Sequence, residues 1–197
     1  MKREDTRQRL IDGTIRVIAR DGLDKATTKY IGLETSINEV YIYRCFDSKE
    51  DLFAKTFAAL DEELVEEAME GISLMATEGL SFRERSWLFF SSVWRFLLGS
   101  REKCLTYIRY YYSPYYITRS SEAHRGRYSA LEDQFKAMFL EESNVWMIMN
   151  HILSTMMVFA IKVFNGDVPD NEDTAEHVFR LIYSSISQYF KKEIPTE

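Results

Sequence analysis

Breakers are scarce in this chain. Its 197 residues include only 8 glycines and 3 prolines, and Pro114, Pro169 and Pro195 all lie outside strongly periodic stretches. That scarcity disfavours a turn-dense β-sandwich and favours helices. The two cysteines, Cys45 and Cys104, are too few for a disulfide framework, and no CxxC occurs. A reducing, cytoplasmic compartment is therefore expected. The N-terminal MKREDTRQRL has no apolar core, so no signal peptide is read there. The most apolar stretch, 145–164, is interrupted by Asn150, His151 and Lys162. It reads as a buried or interface helix rather than a membrane span. With 46% hydrophobic and 28% charged residues, the composition is that of a folded domain.

The catalytic and cofactor signatures are also missing. His124, His151 and His177 are scattered and make neither HExxH nor the Glu-x-x-His repeats of a di-metal bundle. There is no Gly-rich phosphate loop and no GxSxG. No enzyme, metal or cofactor is expected. His151 reads as a core or interface histidine. Cys104 stands near a helix start, a place that can lower a thiol pKa.

The net charge of −6 argues against a polyanion partner until its distribution is considered. Residues 1–55 hold 11 Lys/Arg and 10 Asp/Glu, whereas residues 56–197 hold 14 and 21. The acidity sits almost wholly in the C-terminal part. A near-neutral N-terminal unit can still bind phosphate if its cations and backbone N–H groups converge on one face.

Periodicity gives a succession of helices. Leu10, Ile11, Thr14, Ile15, Val17 and Ile18 make one stripe on a helix over 4–21, which Gly22 ends. Thr27 or Thr28 can cap a short helix to Glu34. Thr35, Ser36 and Ile37 then turn the chain, and Asn38 caps a helix to Cys45. Ser48 and Asp51 have capping-box spacing, and the helix they open, with Phe53, Phe57, Leu60 and Leu64 on one face, reaches about Met69. A break follows over 71–79. Ser81 and Glu84 repeat the box before an aromatic helix that Gly99 ends. Further helices are expected over 101–112, 127–140, 143–164 and 171–191, with loops at 118–126 and 165–169. The fold class is all-α, with about nine helices and no convincing strand.

Two short helices joined by a three-residue turn behind a stabilising helix make a helix-turn-helix. Residues 23–53, LDKATTKYIGLETSINEVYIYRCFDSKEDLF, carry more specific information. Gly22, Thr27-Thr28, Ile31-Gly32, Thr35-Ser36-Ile37-Asn38, Tyr43, Phe46, Ser48-Lys49-Glu50 and Leu52 stand at the spacing of a known pattern. This segment resembles the N-terminal domain of the tetracycline-repressor (TetR) family of bacterial transcription regulators. It departs from that pattern at Gly32 and Thr35, each in place of Ala, and at Ser36 in place of Gly.

The resemblance implies a helix-turn-helix DNA-binding domain over 1–47 and an effector-binding and dimerisation domain over 48–197. Its implied base-facing residues are Glu39, Val40, Tyr41 and Arg44. Thr28, Tyr43 and Lys49 would hold phosphates, and Lys2, Arg3 and Arg7 would add backbone contacts from the arm. A homodimer through 143–164 and 171–191 would place two reading helices on a palindromic operator in double-stranded DNA. A small hydrophobic or aromatic effector would release it. The aromatic density from Trp87 to Tyr116 offers a lining: Trp87, Phe90, Trp94, Tyr107, Tyr110 and Tyr111. Plain core packing is the competing use of those rings. The alternative function is a helical small-molecule-binding or oligomeric protein whose degenerate helix-turn-helix no longer reads DNA.

Overall fold

A computed structural model describes residues 3–191, with the side chain of Arg3 left aside. Lys2, one of the expected arm contacts, lies outside the described residues. The described chain is all-α. In order come α1 (Arg3–Asp21), α2 (Thr28–Thr35), a 3-10 turn (Glu39–Tyr41), α3 (Ile42–Cys45), α4 (Lys49–Ser73) and a second 3-10 turn (Leu74–Ala76). Then follow α5 (Phe82–Leu98), α6 (Arg101–Tyr111), α7 (Pro114–Arg119), α8 (Ser121–Arg127) and α9 (Ser129–Lys136). The last are α10 (Val145–Asn165), α11 (Glu172–Ile186) and a 3-10 turn (Ser187–Tyr189).

These are eleven α-helices among the described residues, not about nine. The difference arises over 114–127, where α7 and α8 replace the loop expected at 118–126. Pro114 is not merely the stop for α6; it sits in the first turn of α7, where its missing N–H costs nothing. Ser120, His124 and Tyr128 recur every four residues and are buried. The periodicity outweighed the composition. Other boundaries move too: the last helix, expected to reach 191, ends at Ile186 and gives way to the 3-10 turn. Gly71, expected at a break, continues α4, and a Cβ there would come within 3.3 Å of the Phe89 ring. The segment expected as helix to 140 ends at Lys136; beyond it Leu140 N–H donates to the Tyr189 carbonyl at 2.8 Å, in an isolated antiparallel bridge between Phe139 and Phe190.

The helices fall into two compact units. One comprises residues up to Glu62 with Ser100–Gly126, and the other Glu63–Gly99 with the residues from Arg127 onward. In the first, α1 packs against α2, α3 and α6. Leu10, Val17, Ile18, Ile31, Ile42, Leu52 and Phe53 are at most 1% exposed there. Each such side chain contributes up to about 1.5–3 kcal/mol of burial. In the second unit α10 packs against α5, α9 and α11. Ser81 and Glu84 complete both halves of the expected capping box at the start of α5.

Candidate nucleic-acid interface and ligand pockets

The segment 27–53 lies wholly in the first unit. Thr27 caps α2, accepting from the Tyr30 N–H at 3.2 Å, and Asn38 caps the next turn, accepting from the Val40 N–H at 3.0 Å. Between them the chain reverses at Ser36, whose φ of 54° is left-handed. It is the one positive φ outside glycine among the described residues. Serine tolerates this poorly, but two backbone bonds close the turn, Ser36 N–H to the Leu33 carbonyl and Ile37 N–H to the Gly32 carbonyl at 3.0 Å.

The other departures from the family pattern now have physical reasons. A Cβ on Gly32 would stand 2.8 Å from the Ile37 carbonyl oxygen, so glycine is what lets this turn close. Thr35 is buried in the seam between α1 and α2, with Oγ1 donating to the Ile31 carbonyl at 2.8 Å. Its methyl fills the space above Gly13 of α1, where any Cβ would overlap it. Gly13, a helix-interior glycine, was the unread signal for this close approach.

The segment that follows is two-sided. Ile37, Ile42 and Phe46 are 6%, 0% and 3% exposed and face the first unit's core. Glu39, Val40, Tyr41, Tyr43 and Arg44 are all exposed. The Arg44 guanidinium lies over the Tyr41 ring, 4.7 Å from its centroid. Thr28, at the start of α2, is half-buried and its hydroxyl donates to the Glu39 carboxylate at 3.3 Å. The Glu39 carboxylate must swing away before that hydroxyl can meet a phosphate. Lys49 opens α4, with Nζ 5.5 Å from the Phe53 ring centroid and 3.9 Å from the Glu50 carboxylate. Six of the seven residues expected to contact DNA thus lie on the helix-turn-helix and its flanking turns, with Lys49 in the first turn of α4.

Two arginines of α1 brace this region in a way the sequence did not reveal. Arg7 Nη1 donates to the Cys45 carbonyl at 3.0 Å while its guanidinium covers the Phe46 ring at 4.6 Å. Arg9 Nη2 donates to the Thr35 carbonyl at 2.9 Å. The last carbonyls of α3 and α2 are thereby satisfied by cations, as helix C-termini favour. Arg16 and Arg20 meet Glu34 at 2.7 and 3.0 Å and hold its carboxyl below the usual range.

The six residues expected to line one effector cavity divide between the units. Trp87, Phe90 and Trp94 stack in series along α5, with centroids 5.6 and 5.8 Å apart. Tyr107, Tyr110 and Tyr111 belong to α6. Tyr107 donates to Asp61 Oδ1 at 3.1 Å, and His124 Nδ1 approaches the same oxygen at 2.9 Å. Asp61 and His124 are 0% and 2% exposed. Phe57, Tyr111 and Tyr116 pack around the His124 ring. The buried acid escaped sequence reasoning although Asp61 shares the apolar face of α4 with Phe57, Leu60 and Leu64. Tyr110 is spent on a hydrogen bond with Ser120 Oγ at 2.9 Å. Cys104 is buried, and burial pushes its thiol up to about 12 rather than down. His151 is not in the core: it is exposed on α10, with Nε2 2.8 Å from Ser185 Oγ of α11.

Pockets open within the second unit. One is almost wholly apolar, with Phe82, Phe89, Phe90, Phe135 and Phe179 among its walls and about 510 Å³ of unfilled space, mouth included. A second, of about 400 Å³, includes Leu64, Val93, Leu131, Met149 and Met156. A third is lined by Arg83, Glu84, Trp87, Glu176, Phe179 and Arg180. Phe90 and Trp87 are the expected effector residues that reach these linings.

Comparison with known proteins bears on both halves. The family model described as "Bacterial regulatory proteins, tetR family" matches residues 10–56. The nicotine-responsive transcriptional repressor HdnoR of Paenarthrobacter nicotinovorans is 39% identical over 61 residues, a match spanning 31% of each chain. Among solved structures, a TetR family transcription regulator from Marinobacter aquaeolei superposes with a TM-score of 0.78 at 16% identity, covering 98% of this chain and 100% of that one. The regulator FadR from Bacillus subtilis, solved in complex with stearoyl-CoA, gives 0.70 at 20% identity, covering 91% and 98%. At these identities the structural likeness speaks for the fold.

Proposed function

From a chain that belongs to the TetR family by its N-terminal domain and shares the fold of TetR regulators along its length, we propose a ligand-responsive, DNA-binding transcriptional regulator. It acts in the cytoplasm as a repressor, without catalysis. The observation that carries this reading is the two-sided segment 37–46, apolar behind and exposed in front. Such a helix can lay its outward residues in a major groove, which is wide enough to admit it. Arg44 reads guanine through two hydrogen bonds, and Glu39 accepts from a cytosine amino group. Val40 and Tyr41 contact base edges, while Thr28, Tyr43 and Lys49 hold the backbone. Residues 1–47 are the reading domain and 48–197 the effector and dimer domain.

The partner is a second copy. α10 is long and apolar enough to span a membrane, yet only 28% of its most apolar window is buried within the chain. Met147, Val158 and, on α11, Leu181 are 67%, 46% and 57% exposed. A two-fold seam through α10 and α11 covers these side chains and sets the two reading helices about 34 Å apart. A hydrophobic or aromatic effector in the C-terminal domain, with Trp87 and Phe90 as its candidate contacts, releases the operator by favouring another separation of the heads.

A gel shift on the DNA upstream of the protein's own gene, run at several salt concentrations, tests this. Specific, salt-dependent retardation that Arg44→Ala weakens is expected. Failure to retard any duplex, in a chain that sediments as a stable dimer, would favour a degenerate helix-turn-helix.

A further inference from the structure

Arg85, on the second turn of α5, is 6% exposed. Its Nη1 donates to the Met75 carbonyl at 3.1 Å, but Nε and Nη2 are shielded from solvent and have no partner among the described residues. An arginine side chain carries its charge, and burying it without an acid is costly. Nε and Nη2 lie on one edge of the guanidinium plane. That edge is a fork whose two parallel N–H groups match the two oxygens of a carboxylate.

Arg85 is not itself a wall of the apolar pocket, but residues next to it are. Met75, which accepts from Arg85, is a wall of that pocket. So are Ser86, the next residue, and Phe82 and Phe89, one turn to either side. The pocket's polar side chains are few: Ser86 Oγ already donates to the Phe82 carbonyl at 2.8 Å, and the other is Tyr183. The pocket bearing Arg83 and Arg180 is no rival for an anion, because Glu84 and Glu176 line it too.

We propose that this pocket binds the hydrocarbon part of a monocarboxylate amphiphile, with its carboxylate held side-on by Arg85. This rests on the reading of 48–197 as the effector domain, and it names the effector's class. The single buried cation balances one negative charge. The methionines and phenylalanines supply an adaptable apolar wall for an alkyl chain.

Calorimetric titration of the full native chain, without DNA, tests the site with three probes: octanoate, 1-octanol and octyltrimethylammonium. Saturable octanoate binding is expected, with octanol weaker by about 10- to 100-fold and the cation undetected. In Arg85→Met, octanoate should weaken by about the same factor while octanol binds as before. Equal affinity of the native chain for octanoate and octanol, no saturable octanoate binding, or an Arg85→Met chain that keeps native octanoate affinity each overturns the proposal. Should Arg85→Met not fold, carboxyl-¹³C octanoate on the native chain decides. A bound carboxyl that stays ionised below the free acid's titration range supports the fork; one titrating like the free acid refutes it. A chain that binds octanoate yet no duplex loses the regulator reading and keeps this site. One that binds an operator but not octanoate does the reverse.

Discussion

The Gly13–Thr35 contact allows a sharp test of how the helix-turn-helix is held against α1. In an unobstructed helix interior, Gly→Ala stabilises by up to about 1 kcal/mol. Here the new methyl would overlap the Thr35 methyl. Thr35 cannot turn aside cheaply, because its hydroxyl is held by the Ile31 carbonyl at 2.8 Å and by the Gly32 carbonyl at 3.3 Å. Overpacking of this kind costs about 1–3 kcal/mol. Gly13→Ala alone should therefore destabilise by about 1 kcal/mol. In a Thr35→Ala background the obstruction is gone, and the same change should stabilise by up to about 1 kcal/mol. The double-mutant cycle then shows a coupling of about 2 kcal/mol. Urea titration of all four chains by circular dichroism measures it. A Gly13→Ala effect of the same sign and size in both backgrounds would refute this account of the seam.

Other outcomes follow from the same geometry. Lys49→Ala and Tyr43→Ala should weaken binding to every duplex, and Lys49→Ala should reduce the salt slope by about one, read by fluorescence anisotropy. An unchanged slope would remove Lys49 from the phosphate contacts. Asp61→Asn should cost about 3 kcal/mol in urea titration, because His124 and Tyr107 lose their buried carboxylate; a cost under about 1 kcal/mol would contradict that role. Cys45, partly exposed, should alkylate in the native chain, whereas Cys104 should react only on unfolding. Since burial raises the Cys104 thiol from 9.0 to about 12, its contribution to stability is full below pH 9 and disappears as pH rises through about 12. A Cys104→Ala chain should lack that alkaline loss.

The helix-turn-helix was legible because its signals are local. A cap at Thr27, a cap at Asn38 and apolar residues at Ile31, Ile37, Ile42 and Phe46 each act within a few positions of the chain. What escaped depends on distant neighbours. Gly13 answers Thr35 across 22 positions, Arg7 reaches Cys45, and Asp61 finds His124. The segment 118–126 was misjudged because polar composition was weighed above the four-residue recurrence of Ser120, His124 and Tyr128. The aromatic residues were visible as a group, but composition could not sort α5's rings from α6's, which serve different units. Arg85 carries no sequence signal of its own; its burial and its bond to the Met75 carbonyl set it apart.

The central claim, that an outward helix at 39–45 reads duplex DNA as half of a symmetric pair, is met most directly by selecting bound sequences from random duplexes. The native chain should enrich a two-fold-symmetric motif whose half-sites lie about one helical turn, roughly 34 Å, apart or a multiple of it. Arg44→Ala should then lose preference at one position in each half while keeping the rest. Enrichment of no symmetric motif, or a motif that Arg44→Ala leaves unaltered, would contradict it.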